Sequence, residues 1–69
     1  MEDHIYKKIE IIGTSEKSSD AAVKNALIKA SRSIQNLRWF EIVETRGTIA
    51  DGGIQRWQVT IKVGFTMND

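Results

Sequence analysis

The sequence predicts an α+β fold: a β-α-β-β subunit in which a three-stranded antiparallel sheet wraps around one amphipathic helix. Three observations predict it. Apolar residues recur at helical spacing in one stretch only, from Val23 to Leu37. One strand-like run precedes that stretch and two longer ones follow it. A glycine-rich turn joins the last two runs, and an isolated hairpin needs a covering helix to bury one of its faces.

The first strand is read in "HIYKKIEIIG", where Ile5, Ile9 and Ile11 share one parity and Lys8 and Glu10 the other. Lys7 interrupts the apolar parity, which suits an edge position or a frayed start, and Gly13 reads as the end of the strand. "TSEKSSD" supplies turn and cap residues: Ser18 or Ser19 can cap a helix, and Asp20 in its first turn suits the helix dipole. Val23, Ala26, Leu27, Ala30, Ile34 and Leu37 then fall at steps of three and four, with Lys24, Lys29, Arg32 and Gln35 between them. That pattern predicts an amphipathic helix of about five turns. "RWFEIVETRGTIA" and "GIQRWQVTIKVGF" are β-branched and aromatic runs separated by Asp51-Gly52-Gly53, a strong hairpin signal.

Parity separates the two faces of the sheet. Trp57, Val59, Ile61, Val63 and Phe65 form an apolar stripe that must meet the helix, while Arg56, Gln58, Thr60 and Lys62 face away. In the preceding strand Phe40 and Ile42 fit the core parity, which leaves Trp39, Glu41, Val43 and Thr45 on the opposite face. Tyr6 and Lys8, opposite the isoleucines of the first strand, are placed beside Trp39. Strict alternation aims Arg46 at the core. A bulge would reverse it, and Gly47 is one place for such an irregularity, so alternation alone leaves the direction of Arg46 open.

Composition narrows the function. Residues 1–69 make one small domain, a size that usually needs a disulfide, a metal or a partner. There is no cysteine, and a single histidine, His4, so neither disulfides nor a zinc-type site is available. Self-association is the remaining reinforcement. Ten Lys and Arg against nine Asp and Glu give a net charge of +1, which offers nothing for nucleic acid or an anionic membrane. No apolar run is long enough to span a bilayer, and "MEDHIYKK" lacks the apolar region of a secretory signal, so a cytoplasmic protein is expected.

A tryptophan turned away from the core can stack on a flat aromatic ligand. A carboxamide such as Gln58 can pair with the imide edge of an isoalloxazine, and an arginine can hold a phosphate tail. The combination would recognise a flavin. "YKKIEIIGTSEKS" at 6–18, "WFE" at 39–41, "RGTI" at 46–49, "DGG" at 51–53 and "WQVTIKVGF" at 57–65 occur in the order and spacing of the dodecins, a family of small flavin-binding proteins. The chain resembles the bacterial type over essentially its whole length. The resemblance implies a hollow homododecamer binding flavins as stacked pairs between symmetry-related tryptophans. It assigns Trp39 to the stacking indole, Gln58 to the isoalloxazine edge and Arg46 to the phosphate-bearing ligand, with Tyr6 alongside. FMN is the expected cofactor, with riboflavin or FAD as alternatives. Bacterial relatives often carry an arginine after "VGF", implicated in coenzyme A binding in some of them. Here that position is Thr66, so coenzyme A is in doubt.

The expected function is therefore flavin storage or buffering without catalysis, in which stacking on indole quenches the bound flavin. A structural or protein-binding module with Trp39 as an interface hot spot is the alternative. A flavoenzyme is a third reading, weakened because no acid or base accompanies Trp39 and Gln58 and a stacked flavin has no open face.

Overall fold

The computed structural model describes residues 3–67 as four elements: β1 (Tyr6–Ser15), α1 (Ser19–Ser33), β2 (Leu37–Ala50) and β3 (Gly53–Thr66). The strands pair antiparallel in the order β1-β3-β2, so the last strand in the chain is the central one. This is the predicted β-α-β-β arrangement.

Ser18 is the helix cap, with its hydroxyl accepting from the Ala21 N–H at 3.0 Å. The helix is shorter than its periodicity suggests. Ile34 already has extended dihedrals, and its N–H donates to the Ala30 carbonyl at 2.9 Å to close the last turn. Asn36 follows at φ 66, a left-handed conformation that asparagine tolerates better than most residues. Ile34 and Leu37 keep the apolar period but belong to the connection and to β2, because their side chains still pack on the core after the helix has ended.

Gly13 does not end β1, which continues to Ser15. It marks where the helix comes closest to the sheet. A Cβ on Gly13 would strike the carbonyl oxygen of Ala22 and lie 2.8 Å from the Ala26 Cβ. The helix reciprocates with its own small residues: Ala22, Ala26 and Ala30 are buried in a line four residues apart. Against them lie Val59, Ile61 and Val63, each fully buried, with Ile9, Ile11, Val23, Leu27 and Trp57 around the margin. Burial of each of the three β3 side chains is worth about 1.5–3 kcal/mol.

The helix packs on β1 and β3 and leaves most of β2 uncovered. Phe40 and Ile42, expected in the core, are 44% and 54% exposed. They point to the helix side of the sheet, but only the rim of a groove shared with Val23 and Leu27 shelters them. In β2 and β3, fourteen residues each, the sheet runs well past the helix to a two-residue turn at Asp51 and Gly52, φ 53 and 78. Both positive φ values identify the primed turn that suits a twisted hairpin. The subunit is consequently long, 56 × 20 × 13 Å. Its 5267 Å² of accessible surface exceeds the roughly 4,400 Å² typical of a compact monomer of this mass.

Gly13→Ala should lower the thermal midpoint markedly, because the new methyl meets helix backbone that cannot rotate away; about 1–3 kcal/mol is the usual cost of such overpacking. Gly53→Ala, whose added Cβ would lie 4.0 Å from the Ala50 carbonyl oxygen, is the matched control. Equal midpoints for the two variants, followed by circular dichroism, would contradict this account of the packing.

Candidate functional site: the helix-free face of the sheet

Cross-strand register fixes which side chains share the face away from the helix. Trp39 and Lys8 both pair with Gly64, Glu41 and Glu10 with Lys62, Arg46 and Thr14 with Gln58, and Tyr6 with Thr66. These partners alternate with Val59, Ile61 and Val63, which meet the helix, so all of them lie on the opposite side. The predicted orientation of Trp39, Gln58, Tyr6 and Lys8 holds.

Arg46 reaches this face through a bulge. The β2 register shifts between Ile42 and Glu44, with Val43 as the extra residue, and parity reverses beyond it. Thr45, expected beside Trp39, instead pairs with Val59 on the helix side, and Glu44 and Arg46 take the outer face. A further irregularity does lie near Gly47, between Thr48 and Ile49, but the earlier one at Val43 is what turns Arg46 outward.

Two clusters result. At one end, Trp39 is 39% exposed and its indole lies over Gly64, where a Cβ would collide with ring atoms. The Tyr6 ring stands 6.4 Å from the indole at 59°. Lys8 Nζ is 5.7 Å from the ring centroid and donates to Glu41 Oε1 at 3.2 Å. With both partners about half exposed, that ion pair orients Lys8 more than it stabilises the fold. At the other end, Arg46 Nε donates to Gln58 Oε1 at 2.9 Å, and Arg46 Nη1 lies 3.9 Å from Glu44 Oε1.

The two clusters do not meet within one chain. From Gly64 to Gln58 the face advances six residues along β3, about 20 Å at strand rise. Trp39 also stands apart from the groove that shelters Phe40 and Ile42 on the helix side. Any pocket that joins an indole to the Gln58 carboxamide therefore has to be completed by a second copy. Trp57, by contrast, packs at the edge of the core as its parity indicates.

Sequence reasoning places Glu41 on this face but does not single out Gly64, Glu41 or Glu44 as site-forming. For Gly64 a signal existed: a glycine inside an apolar strand commonly marks the close approach of another group. Thr66 is buried beside Tyr6, and its N–H donates to the Asn36 carbonyl. Among the described residues no three His, Cys, Asp or Glu side chains converge as a metal site, and no helix is long and apolar enough to cross a membrane.

Comparison with known proteins agrees with this architecture. The family model described as Dodecin matches residues 5–68. The dodecin of Thermus thermophilus is 43% identical over 65 residues, 94% of each chain. The solved structure of the dodecin from Streptomyces davaonensis superposes with a TM-score of 0.94 at 46% identity, covering 99% of this chain and all of that one. A more distant relative, the calcium dodecin of Mycobacterium tuberculosis, has a TM-score of 0.82 at 30% identity, over 93% and 91% of the two chains, and is described with a novel calcium-binding site. A match running almost from end to end, to proteins of nearly equal length and the same strand arrangement, leaves one conclusion: this chain belongs to the dodecin family.

Proposed function

We propose that the protein is a flavin-sequestering homo-oligomer, a dodecamer in the manner its family resemblance implies, and that it binds flavin without transforming it. The observation that carries this reading is the Trp39 indole, held over Gly64 on the face that, among the described residues, no other element of its own chain covers. An indole seated on a glycine keeps a defined plane and presents its outer side for stacking, where dispersion and desolvation favour a flat ligand. Two such faces brought together by symmetry enclose a slot lined by indole on both sides. The excess surface of the single chain supports association, since burying it is the available route to stability without disulfides or metal.

Within that slot Trp39 stacks on the isoalloxazine, and the Gln58 carboxamide of another copy pairs with the imide edge. Tyr6 closes the side of the stack. Stacked indole is an electron donor to excited flavin, so bound flavin is dark and protected from photochemistry. The ligand assigned is FMN, with riboflavin and FAD as the comparisons to run. We do not extend the reading to coenzyme A, because Thr66 is short, uncharged and buried where the related arginine would stand. A cytoplasmic location fits this role.

Titration of FMN with the purified protein should quench flavin emission strongly, and Trp39→Ala should abolish most of that quenching while the oligomer, sized by light scattering, persists. Unquenched FMN with an intact oligomer would favour a structural module instead. Gln58→Ala should weaken FMN binding by about 1–3 kcal/mol, the cost of leaving ligand polar atoms unpaired. Gly64→Ala should displace the indole, shifting the tryptophan emission maximum and weakening FMN binding without dissociating the oligomer; an unchanged emission maximum would show that Gly64 does not seat the ring.

A further inference from the structure

We infer that Arg46 is a positioning residue for Gln58 and not a ligand of the flavin phosphate, an inference that rests on the flavin-binding reading above. Arginine carries five donors and no acceptor, so the atom of Gln58 that faces Arg46 Nε at 2.9 Å is the oxygen Oε1. That contact fixes the otherwise ambiguous carboxamide: Oε1 is turned toward β2 and Nε2 is turned away from the guanidinium. Oε1 retains a second lone pair, so the same orientation presents an acceptor and a donor side by side in one defined order. An imide edge, with a ring N–H between two carbonyls, offers the matching donor and acceptor on either side of that N–H. The N–H donates to Oε1, and the carbonyl on the Nε2 side accepts. Arg46 thereby decides on which side of the Gln58 carboxamide the ring N–H sits, and with it where the imide edge is held in the slot.

The approach of Arg46 to Gln58 follows from backbone geometry. The two residues are direct cross-strand partners, and the bulge at Val43 is what puts Arg46 on the outer face at all. Glu44, two residues earlier on the same face, lies 3.9 Å from Nη1 in an exposed ion pair. A guanidinium whose Nε is committed to a carboxamide oxygen beside a carboxylate is less available to a phosphate than a free one.

The test compares two flavins that differ only in the phosphate. Arg46→Met keeps the unbranched apolar stem of the side chain and removes its donors, and riboflavin and FMN are titrated against wild type and variant by fluorescence quenching. Loss of one preorganised hydrogen bond should weaken both ligands by a similar factor, roughly tenfold. In the Gln58→Ala background Arg46→Met should then cause no further loss for either ligand. A loss confined to FMN would overturn the inference and return Arg46 to the phosphate, and so would full retention of affinity for both. Additive losses in the double variant would likewise exclude positioning through Gln58. Wild-type protein that leaves both flavins unquenched would remove the flavin reading itself, and this inference with it, which distinguishes that failure from the others.

Discussion

The close seating of α1 on β1 and β3 is the constraint from which the rest of the subunit follows. A line of alanines on the helix and a glycine on the strand bring the two backbones nearer than larger side chains allow. Close packing there is efficient but narrow: the fully buried side chains of β3 are three, all under the helix. The helix consequently covers part of the sheet and leaves β2 bare on the helix side. Neither ring of the Trp39-Phe40 pair is enclosed by its own chain, one because it faces away from the helix and the other because the helix does not reach it. A subunit built this way has one small core and leaves large apolar side chains exposed on both sides of its sheet, which is the physical ground for association.

The outer face owes its chemistry to departures from regular strand geometry. A regular β2 would turn Arg46 to the helix side and Thr45 to the outer face. One extra residue at Val43 exchanges them, so the guanidinium reaches the Gln58 carboxamide on the outer face. Gly64 is the corresponding departure in β3. By omitting a side chain between Lys8 and Trp39, it leaves a seat for the indole in the middle of the sheet. The ordinary alternation of polar and apolar residues makes the sheet, and these two exceptions make its outer surface a place where a ligand can be held.

On the proposed reading, separation of the indole from the carboxamide along one strand ties binding to assembly. Their positions along β3 lie about 20 Å apart on a single chain, farther than a tricyclic ring extends, so on that reading neither subunit alone contains a site. On the proposed reading, oligomer and ligand site form together, and the surface that stabilises the fold is the surface that encloses the flavin. Rigidity then comes cheaply, because each contributing side chain stands on a central or paired strand and not on a loop.

The sequence by itself determined the number, type and order of the elements, the hairpin turn, the helix cap and the face on which Trp39 and Gln58 lie. Those features depend on local periodicity, on turn and cap chemistry, and on the strict two-residue alternation of a strand, all of which are written in neighbouring residues. The same local rules misplaced Gly13 as a strand end, carried the helix through Leu37, put Phe40 and Ile42 in the core and left Arg46 undirected. Tertiary structure decided these because each depends on something distant in the chain. Helix–sheet approach explains Gly13, the end of helix coverage explains Phe40 and Ile42, and the pairing register of β2 on β3 explains Arg46. Periodicity records which side of an element is apolar; only packing shows how far the partner on that side extends.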